Sequence, residues 1–271
     1  MVLEGMVIMH PVLFRIGEIT VNSWGFMLAM ALVLAVIGAR RLFAREGYDG
    51  EIVLDLVIIT VISGITGAHL LYMLLYERAE LIANPLSFFY LDAGSCMGLV
   101  WYGAFIGGFL AFLVYLLVKQ LPFWKIADML APFLALGYAT VRIGCFLAGC
   151  CYGKISDVPW AVVFPLLDAF PRHPTQLYSS AANFMIFLFL LWFFPRRKFP
   201  GQVFILYLLI YPVYRFTVEF FRVNTIMYGP LSIAQLYSLI IFTIAVILYL
   251  WQRRRCKEEY IPNSGWRKYR G

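Results

Sequence analysis

Hydrophobic positions in this chain neither alternate nor keep to one helical stripe; they run on without charge over 20–39, 56–76, 93–118, 174–195 and 223–252. Two further segments, 129–152 and 202–221, reach comparable length only by including Arg142 in the first and Arg215 with Glu219 in the second. A bilayer span needs about 20 mostly apolar residues, so the pattern predicts an all-α membrane bundle of seven transmembrane helices. Barrel strands alternate apolar and polar residues over about ten positions, and these runs are apolar on all sides.

Composition leaves nothing over for a soluble domain. The 271 residues are 62% hydrophobic and 14% charged, whereas soluble domains carry about 25% charged residues. Residues 1–252 read as one transmembrane domain and 253–271 as a basic tail. The first twenty residues lack the basic start, short apolar core and small-residue cleavage site of a secretory signal, so the first helix is expected to be retained. Five cysteines, Cys96, Cys145, Cys150, Cys151 and Cys256, do not make a disulfide scaffold. Cys145, Cys150 and Cys151 are read as lacking the C-x₂₋₄-C spacing of a zinc site, and no metal or cofactor is expected.

Charge supplies the direction. Fifteen Lys and Arg residues fall in the odd-to-even connections and the tail, and five on the other face. Cytoplasmic segments are enriched in them, which puts the N-terminus outside and the C-terminus in the cytoplasm. The net charge of +7 sits beside spans, where anionic headgroups account for it; nucleic acid is not an expected partner. The long connection 153–176 then lies on the outer face, and long loops are often functional.

The two embedded arginines are the energetic anomaly. An arginine at a helix centre costs about 2.5–3.5 kcal/mol on insertion scales and calls for an anion or a watery cavity. Arg215 and Glu219 share a helix face and can pair internally; Arg142 has no such neighbour in sequence. A guanidinium is a planar fork of donors suited to phosphate, and membrane lipids supply phosphate. Around Arg142 the chain reads Arg142-Ile143-Gly144-Cys145-Phe146-Leu147-Ala148-Gly149-Cys150-Cys151-Tyr152-Gly153. Gly149 and Gly153 form a G-x-x-x-G, which serves either helix packing or close approach of a ligand. Upstream, Tyr102 precedes Gly103 and the Gly107-Gly108 pair, as an interfacial aromatic or a site residue. Other sites also carry a structural reading: His173 as a loop hydrogen-bonder before Pro174, His69 as a core residue.

With these residues in view, the chain resembles the prolipoprotein diacylglyceryl transferases, a family of bacterial membrane enzymes. The likeness rests on R-x-G-x-F-x-x-G-x-x-x-G at 142–153, on Asp157-Val158-Pro159-Trp160-Ala161, on Arg172-His173-Pro174-Thr175-Gln176-Leu177-Tyr178 and on Tyr211-Pro212-Val213-Tyr214-Arg215-Phe216-Thr217-Val218-Glu219-Phe220-Phe221-Arg222. The resemblance implies seven helices in the bacterial inner membrane with the N-terminus outside. It also implies the reaction: the diacylglyceryl group of phosphatidylglycerol moves to the lipobox cysteine of a prelipoprotein signal peptide, releasing glycerol 1-phosphate. Carried over, Arg142, Arg215, Tyr102 and Glu219 are candidate catalytic residues. Gly144, Cys145, Gly153, Tyr211, Trp24 and His173 are candidate substrate-binding residues. The chain departs from the family's usual pattern in having Tyr102 where a histidine is common, Cys145 for asparagine, Cys150 for glutamate, Trp24 for tyrosine and His69 for arginine. Two rivals stay open: a lipid-binding or transport protein without this chemistry, and a membrane thiol oxidoreductase using Cys150 and Cys151.

Overall fold

The computed structural model describes residues 9–17, 19–84, 100–223 and 227–258. Among them are eight α-helices: α1 Ser23–Arg45, α2 Glu51–Tyr76, α3 Arg78–Ala83, α4 Trp101–Val118, α5 Phe123–Leu147, α6 Thr175–Phe193, α7 Gln202–Glu219 and α8 Ile233–Glu258. Helices α1, α2, α5, α6 and α8 are each long and apolar enough to cross a membrane, and α4 is a shorter apolar helix. The strands form three antiparallel hairpins: β1 Val12–Ile16 with β2 Ile19–Asn22, β3 Val162–Val163 with β4 Pro171–Arg172, and β5 Met227–Tyr228 with β6 Leu231–Ser232. None closes into a barrel.

Several expected boundaries move, each for a local reason. The helix expected at 129–152 is α5, which starts earlier because its polar first turns are satisfied within the fold, and stops at Leu147 where Gly149 turns left-handed at φ +73°. The helix expected from 223 begins at Ile233, because Gly229-Pro230 closes the β5–β6 hairpin. Ser232 and Gln235 then start α8 as a capping box: the Gln235 amide N–H donates to Ser232 Oγ at 3.3 Å, and the Ser232 N–H to Gln235 Oε1 at 2.9 Å. Of the expected 93–118 helix, α4 covers the part from Trp101 onward. Residues 93–99, with Cys96, and the tail beyond Glu258 lie outside the described residues.

The described chain forms two compact units, one built from residues up to Ala39 and from Ala127 onward, the other from Arg40 to Ile126. In the second, α2 and α4 meet along a glycine seam. A Cβ on Gly67 would stand 2.5 Å from the Gly103 carbonyl oxygen, one on Gly103 2.2 Å from that of Gly67, and one on Gly107 2.4 Å from that of Ser63. No side chain fits there. Lipid tails offer helices no hydrophobic drive to associate, so backbone approach through small residues supplies the packing.

The first unit buries polar side chains among apolar ones and leaves large apolar side chains exposed. Gln176, Asn183, Gln202, Gln235 and Gln252 are buried, while Met185 is 66% exposed and Phe184, Trp192, Ile240 and Ile247 are exposed with it. Buried polar groups need partners: Asn183 Nδ2 donates to the Ser179 carbonyl at 2.9 Å and Gln252 Nε2 to that of Pro200 at 3.1 Å. An apolar exterior is what a helix facing lipid presents. Asp128, on the second turn of α5, is buried, and its carboxylate accepts the amide N–H groups of Gly201 at 2.8 Å and Phe204 at 2.9 Å. It satisfies donors that the first turn of α7 would otherwise leave open and places negative charge at that helix's positive end.

Candidate active site

Arg142 lies near the end of α5 with Tyr138 one turn before it. Its Nη2 donates to the Tyr138 hydroxyl, and its guanidinium stands 4.6 Å from the centre of the Tyr138 ring, a cation–π arrangement. Tyr138 in turn packs edge-on against Tyr211 at 5.6 Å and Tyr214 at 6.4 Å, both on α7, and Tyr207 packs against Tyr211 at 5.7 Å. Four tyrosines therefore join α5 to α7 beside the arginine. Among the described residues no carboxylate pairs with Arg142, and its guanidinium is held by the Tyr138 hydroxyl and ring. Sequence reading named Tyr211 and missed Tyr138, although the i−4 spacing from Arg142 is a contact distance on any helix.

Arg215 is held differently. Its Nη1 bonds Glu219 Oε2 one turn on, and Glu219 Oε1 accepts the Ser232 hydroxyl at 3.1 Å. The pair is largely buried, with 17% and 7% of the two side chains exposed. Ser232 thus serves the α8 cap and the carboxylate together. The internal pairing open to Arg215 is formed, whereas Arg142, the other embedded arginine, has no carboxylate partner among the described residues.

The long connection between α5 and α6 is stitched to the ends of α5, α6 and α7. Gly153 donates its N–H to the His173 carbonyl at 3.0 Å and bridges to Arg222, while the Lys154 N–H reaches the Phe221 carbonyl at 2.8 Å. A Cβ on Gly153 would come within 2.6 Å of the Phe221 oxygen and 2.7 Å of His173 Cβ. Of the two readings of the G-x-x-x-G, helix packing fails: Gly149 ends α5, and Gly153 lies in the loop seam. Gly144 does pack helices, with a Cβ there 2.9 Å from Met27 Cβ and 3.2 Å from Trp24 Cα on α1. Arg172 pairs with Asp168, which pulls the Asp168 carboxyl below its usual range.

His173 Nδ1 is 3.1 Å from the Tyr178 hydroxyl, which also accepts the Trp160 indole N–H at 2.6 Å. These three, with Tyr214, Thr217 and Phe221, line an apolar cavity of about 610 Å³. The cavity begins one residue from Arg215. Tyr102 belongs to the other unit, where it lies on the first turn of α4, 54% exposed; His69 is buried on α2.

A profile of the prolipoprotein diacylglyceryl transferases matches residues 11–251. The chain belongs to that family. Among curated relatives, a phosphatidylglycerol–prolipoprotein diacylglyceryl transferase of Clostridium tetani is 36% identical over 256 residues, covering 93% of this chain and 100% of the relative. A similarly named protein of Bordetella bronchiseptica is 35% identical, covering 90% and 95%, and one of a Nostoc species is 33% identical, covering 94% of each. The match spans the site residues described above, from Trp24 on α1 to Ser232 and Gln235 at the start of α8. Within the matched range, the glycine- and arginine-containing segment 142–153 is the end of a helix and the loop stitched to it.

Proposed function

We propose that this protein transfers the diacylglyceryl group of phosphatidylglycerol to the lipobox cysteine of prelipoproteins, the activity named for its relatives. The observation that carries the assignment to a site is Arg142, a guanidinium near the end of an apolar helix with no carboxylate partner among the described residues. The substrate thiol sulfur attacks the glycerol carbon bonded to the phosphodiester oxygen. The carbon–oxygen bond breaks, a thioether forms, and the thiol proton can leave with the glycerol phosphate. The departing phosphate gains a negative charge as it becomes a monoester, and fixed donors aimed at that charge lower the barrier. Arg142 binds the phosphate. Arg215, oriented by Glu219, presents its remaining N–H groups to the same anion. Tyr211 packs on the tyrosine that orients Arg142, and the cavity beside His173 takes an apolar chain of lipid or signal peptide. Gly144, Trp24 and Cys145 shape the end of α5, and Gly153 the loop seam beyond it, against which the headgroup rests. Tyr102 enters from the sequence pattern alone, as a residue that orients substrate.

Seven crossings of the bacterial cytoplasmic membrane, with the N-terminus outside, complete the reading; α4 and α7 join the five longer helices. The distribution of Lys and Arg supports it. Reporter fusions should place 40–50, 119–125 and 196–200 in the cytoplasm and 153–173 outside; a cytoplasmic 153–173 would reverse the orientation.

Purified protein given phosphatidylglycerol and a lipobox peptide should yield the diacylglyceryl thioether by mass spectrometry and release glycerol phosphate. Lipid binding without either product would favour the non-catalytic rival. Because the nucleophile belongs to the substrate, Cys150→Ser/Cys151→Ser should retain transfer, whereas a thiol oxidoreductase would lose all activity.

A further inference from the structure

Three sulfur atoms meet where the α5 helix ends. Left-handed Gly149 reverses the chain, and the Cys150 N–H returns to the Cys145 carbonyl at 3.1 Å. As a result the Sγ atoms of Cys145, Cys150 and Cys151 all lie within 4.8 Å of one another. Contrary to the spacing expected from sequence, four residues separate Cys145 from Cys150, a C-x₄-C interval that falls within zinc-site spacing, and the adjacent Cys151 adds a third thiol.

We infer that Cys145, Cys150 and Cys151 form a binding site for a thiophilic metal ion, of the zinc(II) or copper(I) class. Zinc–thiolate bonds are about 2.3 Å, which sets sulfurs sharing one ion about 4 Å apart, so closing the cluster takes side-chain rotation and no backbone movement. Thiolates select such soft ions over magnesium or calcium. The backbone is already held for the purpose. Cys151 adopts φ +64°, a left-handed conformation unusual for a residue with a Cβ, and strain of this kind persists where neighbours over-determine it. Here Thr175 Oγ1 donates to the Cys151 carbonyl at 2.9 Å and Gln176 Nε2 to that of Cys150 at 2.6 Å. Charge is matched as well: three thiolates around a divalent ion carry one net negative charge, and Arg142 stands one turn before Cys145 on the same helix. Cys145 is buried and Cys150 exposed, which gives the cluster a closed floor and an open side for entry and a fourth ligand.

The test uses the full chain in detergent, kept reduced by a phosphine and loaded with cobalt(II). Expected are a thiolate-to-cobalt charge-transfer band saturating at one equivalent, its stoichiometric displacement by zinc(II), and no displacement by magnesium(II). Cys145→Ser, Cys150→Ser and Cys151→Ser should each weaken zinc competition at least about tenfold, while Cys256→Ser leaves it unchanged. If the serine variants do not fold, the wild-type chain decides: zinc(II) should slow maleimide labelling of Cys145, Cys150 and Cys151 and spare the rate at Cys256. Absence of the band, its survival in Cys150→Ser/Cys151→Ser, or equal labelling with and without zinc would overturn the site. So would alkylation in intact cells showing a Cys150–Cys151 disulfide, which would make the cluster a redox element.

Discussion

Arg142→Ala is expected to cut diacylglyceryl transfer by about 10²–10³-fold, the effect of removing one preorganised donor from a developing anion, with little change in thermal stability. The two readouts separate because the guanidinium rests on the Tyr138 ring and hydroxyl and has no carboxylate partner among the described residues. Its removal orphans no buried charge. Arg142→Lys keeps the charge but loses the planar fork and the stacking on tyrosine, and should fall between wild type and alanine. Thioether yield on a lipobox peptide measures the first quantity, and a thermal melt of the detergent-solubilised protein the second. A large fall in melting temperature for Arg142→Ala would make the residue structural.

At the second arginine the same substitution should give the opposite balance. Arg215→Ala leaves the buried Glu219 carboxylate with Ser232 as its named partner, and Glu219→Ala leaves a buried guanidinium. Breaking a buried pair from one side costs about 3–5 kcal/mol, so each single variant should melt well below wild type, with Glu219→Ala also loosening the start of α8. The double variant Arg215→Met/Glu219→Leu replaces the pair by apolar volume and should recover most of the stability. It should not recover transfer. Stability and transfer recovering together would mean that the pair is scaffolding and that phosphate is held elsewhere.

What could be read in advance divides along a physical line. Helices α1, α2 and α6 stand in the linear hydrophobic pattern, because a lipid-facing helix needs an apolar exterior whatever its neighbours do. The start of α8 does not: Val223 to Leu231 is as uncharged as a span, and only the Gly229-Pro230 turn and the Ser232 cap mark the boundary. The start of α5 is hidden for the opposite reason, since Lys125 and Asp128 look like loop residues until Asp128 meets the α7 amides. Within the site, Arg142, Arg215 and Glu219 are visible because charge in an apolar run is costly and therefore purposeful. The Tyr138 cradle and the joining of three sulfurs are not, because both depend on where helices and a left-handed turn bring residues in space.

Asp128 has one more effect, on depth. Arg142 stands 14 residues along α5 from Asp128, and Arg215 stands 14 residues along α7 from Gly201, whose amide that carboxylate holds. At 1.5 Å per residue both arginines lie about 21 Å from a shared origin. The carboxylate works as a common zero mark for the two helices, and the equal intervals give both arginines the same rise from it. One residue inserted into either interval would shift its arginine by about 1.5 Å and turn it by about 100°, which would spoil the phosphate grip proposed for the pair while leaving each helix intact.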